Sequence, residues 1–506
     1  MNTRIALLGI ALTVGALRTA DGQASVTLES YRAARAALDR AFVAHRVTAL
    51  TAAADLTVSY EGVRHMRYQS YRAEPPWDTQ NTSWTTVLDL RNSRIRRDFV
   101  ERYPKDFEFV GRQVFTSTGG FRYDPTRRFE GDALQRFTTL NFDRARGGMD
   151  FDVPAFLVQR ATRRAATLRL LDTLPENDRS YIRILFADQD GSQVTLFFDR
   201  DTGLLARYET LRSDGVEGDV VASVAFDDYR NIGAIPLATR RIERHNGHTV
   251  REGRLHYVLN STPHDSLFVE PTGYVAPAPR GAEAEPLRKL ADGVWLIQNL
   301  GNRIMFVEFA DHVVVFETPL PQTTANTVME IVRRTVPGKP IRYVTFSHHH
   351  DDHAGGLRPY VAEGISIVTT NASRRFVERV ASATHTIAPD TLSRAPRLPR
   401  IETFVGKRVF ADGTMSVELH ELGANSHVDG MAFAWLPGPR IIFQGDALIL
   451  PEQGEVPAAN TLTVEFLSKI EALRLPVDFI AGVHGRVGTL ADLRTAVARR
   501  RQMGDR

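Results

Sequence analysis

An apolar run from Ile341 to Phe346 ends in Ser347-His348-His349-His350-Asp351-Asp352-His353-Ala354-Gly355-Gly356, and this junction constrains the fold of the 506-residue chain more than any other feature. Four histidines and two aspartates stand in six successive positions. Such groups cannot satisfy one another inside a protein: a neutral imidazole offers one donor and one acceptor, and buried charges need partners. Packing them needs either a counter-ion or a metal. If strand geometry persists beyond Phe346, His348 and His350 project alike, because side chains two apart share a face. Asp352 and His353 follow a bend and can approach the same point from another side. Gly355-Gly356 permits close backbone packing as a helix begins through Leu357. The predicted local fold is a strand, a ligand-bearing turn and a helix.

Cysteine is absent, which excludes disulfides, thiolate metal sites, iron–sulfur clusters and a cysteine nucleophile together. Any metal must be held by nitrogen and oxygen. Basic and acidic residues nearly balance, 63 against 60, and all but five of the cations are arginine. These arginines are spread along the whole chain rather than gathered in one patch, which counts against a nucleic-acid partner. Residues 1–24 read as a signal peptide: Arg4, an apolar run from Ile5 to Leu17 too short to span a bilayer, then small residues around Gly22-Gln23-Ala24. The expected location is periplasmic or secreted, with no transmembrane segment in the mature chain.

The length calls for more than one core. A helical period over Val26–Leu50 leads into a region of period two, with strands expected at Tyr181–Phe186, Val194–Phe198, Leu204–Tyr208, Val220–Phe226, Thr239–His245 and Arg254–Leu259. Hairpins in series predict a curved antiparallel sheet within an α+β domain over 25–275. The run "YIRILFADQDGSQVTLFFDRDTGLLARYE" and the closing "LNSTPHDSLFVEPTGY" resemble the half-barrel of lipoprotein-sorting carriers. Residues 276–286, "APAPRGAEAEP", read as a linker. Beyond it, 287–506 forms a second domain, with a final helix over Leu490–Arg500.

The spacing His348-x-His350-x-Asp352-His353 followed by Ala-Gly-Gly resembles the signature of the metallo-β-lactamase superfamily. Later motifs come in that family's order: His427 in "ELGANSHVDGM", Asp446 in "RIIFQGDAL" and His484 in "DFIAGVHGRVG". The resemblance implies an αββα sandwich for the C-terminal domain. It also implies two zinc ions per chain: His348, His350 and His427 on one, Asp352, His353 and His484 on the other, and Asp446 bridging them. Three neutral nitrogens with a position left for solvent suit catalytic zinc. Two ions sharing a water would supply hydroxide near neutral pH, with Asp352 as the catalytic group that orients it and takes up its proton. Glu317 stands where the family has an aspartate that supports the site. His349 and Asp351 fall outside the pattern and should point away from the metals. His385 and His420 read as ordinary histidines.

The function implied is an exported dinuclear zinc hydrolase acting on an ester, lactone, thioester or β-lactam bond of a small molecule. Asn425, Ser426 and Arg486, beside the ligands, are the candidates for substrate contact. One alternative is a phosphodiesterase or nuclease of the same superfamily. Another, from a different class, is a periplasmic carrier whose sheet domain holds an apolar ligand beside an accessory metal domain. The sequence names neither the substrate nor the oligomeric state.

Overall fold

The computed structural model describes residues 20–102, 108–127, 133–276, 286–452 and 454–504. Residues 1–19 of the segment read as a signal peptide, and 277–285 of the linker, lie outside the described residues. Among the described residues, no helix is long and apolar enough to cross a membrane.

The N-terminal half is a large antiparallel sheet of thirteen strands. Strands predicted in series are present at Arg179–Ala187, Gln193–Asp199, Leu205–Asp214, Gly218–Ile232, Ile235–His245 and His248–Leu259. Seven further strands were not anticipated, among them Asp55–His65, Thr79–Asp89, Arg94–Arg102 and Glu108–Phe115. Their polar and arginine-rich outer faces mask the alternation. The leading helix covers Ala20–Ala44 and restarts at Val47–Thr51 after Arg46, whose φ of 50° breaks it.

The chain divides into two compact units that are not cut at 276–286. Of the described residues, the first comprises 20–53, 147–210 and 225–239. There the helices pack on the strands Arg169–Glu176 and Arg179–Ala187, burying Leu38, Ala41, Phe156, Ile184 and Phe186. The second comprises 54–146, 211–224 and 240–506, and it contains both the hairpin Asp55–His65/Thr79–Asp89 and the C-terminal sandwich.

That sandwich has a seven-stranded and a six-stranded sheet. Strict alternation builds its layers. Ile304, Phe306, Val313 and Val315 face the helices Gln322–Thr335, Arg358–Glu363 and Arg374–Ser382, while Met305, Val307, Val314 and Phe316 face the other sheet. In the second sheet Ala432, Ala434, Ile441 and Phe443 point inward, and Phe433, Trp435 and Ile442 point outward to the helices Thr461–Ala472 and Leu490–Met503. Strands buried on both faces read as continuous apolar runs. The order helix, sheet, sheet, helix is the αββα arrangement expected.

Candidate metal centre

Four strand ends converge on one point. Ile341–Thr345 delivers Ser347 to His350, and His350 is the N-cap of the short helical turn Asp351–Ala354. His427 lies between the strands Ser416–Glu421 and Ala432–Leu436, Asp446 follows Ile441–Gln444, and His484 follows Phe479–Gly482. The last two strands are parallel neighbours, so their carboxyl ends meet, as ligand sites do in such sheets.

The seven residues form two adjoining donor groups, His348/His350/His427/Asp446 and Asp352/His353/His484. In the first, His348 Nε2 is 3.0 Å from His350 Nδ1 and 3.3 Å from His427 Nε2. Asp446 Oδ2 is 3.0 Å from His427 Nε2 and 3.6 Å from His348 Nε2. In the second, Asp352 Oδ2 is 3.3 Å from His484 Nε2 and 3.5 Å from His353 Nε2. Asp446 Oδ1 lies 3.2 Å from His353 Nε2 and 3.3 Å from His484 Nε2. Asp446 therefore turns one oxygen to each group.

The surrounding hydrogen bonds decide which nitrogens face inward. The Ser70 carbonyl can only accept, so His350 Nε2–H donates to it at 3.1 Å and Nδ1 keeps its lone pair. Glu317 Oε2, 3.2 Å from His353 Nδ1, likewise leaves His353 Nε2 free. His348 Nδ1 meets Ser347 Oγ at 2.9 Å. Such outer partners fix ring orientation in metal sites. His353 Nε2 and Asp446 Oδ1 are buried yet form no hydrogen bond, although 3.2 Å apart. A donor set of five imidazoles and two carboxylates with orphaned inward atoms fits divalent cations of borderline softness.

The electrostatics agree for His348 and His350, whereas for His353 burial is outweighed by the carboxylates of Asp446, Glu317 and Asp352, which raise the pKa well above its usual value. Burial, then the neighbouring His353 and His350, keep His348 far below its usual pKa, and burial with His427 does the same for His350. Both are held as neutral ligands. Burial opposes ionisation of Asp446, but the imidazoles of His353, His427 and His348 outweigh it and hold the carboxyl ionised. Asp352 is kept ionised in the same way, against burial, by His353 and His484, with Gln69 assisting.

Glu317 is buried with φ of 84°, a left-handed conformation that costs a non-glycine residue of order 1–3 kcal/mol. The longer side chain uses that turn to reach two partners: Oε1 accepts from Ser347 N at 3.0 Å, and Oε2 faces His353. The expected supporting residue is thus in place as glutamate. His349 points away from the centre, its Nε2–H donating to Ser70 O at 3.0 Å, and burial lowers its pKa to about 4. Asp351 also points away and accepts from Gln69 Nε2. His420 pairs with Glu418, and His385 is buried apart from the donor groups.

The candidate substrate residues lie beside the ligands. Asn425 Oδ1 accepts from His427 N and Val428 N, while its Nδ2 donates to Gly423 O and Val428 O, so the amide is spent on shaping the His427 loop. Ser426 N donates to Glu465 Oε2, and Arg486 pairs with Asp492 at 3.1 Å.

Sequence reasoning missed the loop between Asp55–His65 and Thr79–Asp89. Gln69 Nε2 reaches Asp351 Oδ1 at 2.8 Å and Asp352 Oδ1 at 2.9 Å. Besides Ser70 O, the loop offers Tyr68 O to Asp351 N and Tyr71 O to Asp429 N, and Ala73 enters the helix-side core. Asn302 Nδ2, also missed, donates to Asp352 O at 2.6 Å. Carbonyl acceptors leave no mark in a sequence. A glutamine some 280 positions from its partner has no motif to betray it.

Gly445 has a steric task. A Cβ there would stand 2.4 Å from Ser347 Oγ and 3.2 Å from His348 Nδ1. Gly445→Ala should therefore push Ser347 off His348 and destabilise the protein by about 1–3 kcal/mol, read by urea denaturation. An unchanged midpoint would show that Ser347 does not fix this imidazole.

This fold and site define a class, a metal-centred αββα sandwich. Residues 300–484, which include all seven donors, match the family model described as the metallo-beta-lactamase superfamily, and the C-terminal region of the chain belongs to that superfamily. The chain is 31% identical over 78 residues to the linear primary-alkylsulfatase of a Pseudomonas species, and 30% identical over 78 residues to the alkyl/aryl-sulfatase BDS1 of Saccharomyces cerevisiae. Each match covers 15% of this chain and 12% of the relative's length. Among solved structures, a metallo-beta-lactamase from Pontibacter korlensis shares 18% identity, covering 42% of this chain and 96% of its own at a TM-score of 0.32. The DIM-1 metallo-beta-lactamase shares 16%, covering 44% and 100% at 0.33.

Proposed function

We propose that the chain is a metal-dependent hydrolase of small molecules that works outside the cytoplasm with two zinc ions. The observation that carries this reading is Asp446, whose two oxygens face two separate donor groups. His348, His350 and His427 would hold one ion, Asp352, His353 and His484 the other, and Asp446 both. Divalent cations supply Lewis acidity, which brings the pKa of a water towards neutrality and polarises the bond to be broken.

The chain's own residues supply position and proton transfer. Gln69 fixes Asp352 Oδ1, which leaves Oδ2 turned to the centre as a carboxylate able to take a proton from the attacking water and return it to the leaving group. Ser70 O, Ser347 and Glu317 stop the imidazoles from rotating. The bond cleaved is of ester, lactone, thioester or β-lactam type. The partial likeness to two sulfatases adds alkyl sulfate esters to that set.

The test is a panel of these substrates with zinc-loaded full-length protein. Turnover of at least one, abolished by a chelator and restored by zinc, is expected. No turnover of any, or turnover of phosphodiesters alone, would overturn the reading.

A further inference from the structure

Gln69 and Asp351, which adjoin the metal centre, also line a cavity of about 230 Å³ within the second compact unit. One side of its wall is a row of residues opposite one another on four antiparallel strands: Gln80 faces Arg64, Arg64 faces Arg251, and Arg251 faces Glu243. Like charges directly opposite in a sheet repel. Arg64 and Arg251 are such a pair, and both line the cavity.

The neighbouring charges are already committed. Glu243 is bound by Arg241 at 3.1 Å and His245 at 3.2 Å. Arg67, buried at the back, is paired with Glu217. Among the described residues Arg64 is paired with Glu101 alone, at 3.4 Å and exposed. Arg251 is half-buried, and its side chain makes no hydrogen bond or ion pair among the described residues. Burial pulls its pKa down, and Arg241 and Arg64 add to that against Glu243. A guanidinium stays charged regardless, and one that lines a cavity without a protein partner is open to water or to an anion. Its planar fork matches an oxyanion with two parallel N–H donors.

We propose that this cavity is an oxyanion subsite in which Arg251, aided by Arg64, holds a carboxylate or sulfate group carried by the substrate, separated from the bond cleaved by Gln69 and Asp351. The proposal rests on the hydrolase reading for the word substrate, but the anion site itself does not.

The experiment uses the full-length protein stripped of metal, so its result is independent of any hydrolysis. Calorimetric titration with benzoate and, separately, with inorganic sulfate should show saturable binding of both. Arg251→Gln should weaken it about tenfold or more, and Arg251→Lys, which keeps the charge and loses the fork, should fall between. Zinc content after reloading should match the parent in each variant. Equal affinity in the parent and in Arg251→Lys together with Arg251→Gln would overturn the proposal, as would no saturable binding of either anion. Sulfate binding without benzoate binding would place a free inorganic anion there and overturn the assignment to substrate. If Arg251→Gln fails to fold, the parent and Arg251→Lys decide the matter.

Discussion

Asp446→Ala should yield a folded protein that keeps at most one tightly held metal ion and hydrolyses nothing at a measurable rate. The carboxylate belongs to neither donor group alone, since Oδ2 sits with His427 and His348 and Oδ1 with His353 and His484. Without it the first group is three imidazoles and the second is Asp352 with two histidines. Two divalent charges at about 4 Å repel by roughly 16 kcal/mol at an effective dielectric of 20, and anionic bridges are what offset that repulsion. The fold should survive because the Ile441–Gln444 strand is anchored by Ile442 and Phe443 in two cores. Elemental analysis after gel filtration, alongside circular dichroism, reads the outcome. Two equivalents of metal still bound would show that Asp446 is not a bridge.

Residues 287–506 expressed without the N-terminal half should be insoluble or, if soluble, should bind zinc at least about tenfold more weakly than the full chain. Excision removes Gln69 from Asp351 and Asp352, and Ser70 O from the Nε2–H groups of His349 and His350. Each buried polar group left without a partner costs about 1–3 kcal/mol. It also removes Ala73 and Tyr68 from the core beneath the helices Gln322–Thr335 and Arg374–Ser382. Gln69→Ala in the full chain isolates the polar part of the effect, and chelator competition measures both. A soluble fragment with two equivalents at full-chain affinity would show the loop to be dispensable.

The donor residues were legible in the sequence because their chemistry is extreme. Histidines and aspartates at strand ends stand out, and the αββα core reads as apolar runs such as Val313–Phe316. The same reasoning explains the failures. The strands Asp55–His65 and Arg94–Arg102 carry arginine and glutamate on half-exposed faces, so their alternation is blurred. Two of the partners that hold the ligands in place are Ser70 O and a lone Gln69, neither distinctive by type. Asn425 stood out by its position beside His427, yet position alone does not separate a residue that shapes a loop from one that touches substrate. The row Gln80, Arg64, Arg251, Glu243 exists only through strand register, which no single segment encodes.

The loop at 66–78 also sets an order of events. Gln69 and Asp352 are 283 positions apart, and Ser70 and His350 are 280. Contacts so remote in sequence close late, because loop closure must precede them. During synthesis the clamp is made long before the histidines it will hold, and it waits through several strands of unrelated sheet. The ligand loop, once made, docks against a surface that has already folded. Metal capture should then follow this docking, on a receptacle whose outer wall of Gln69 and Ser70 was built first.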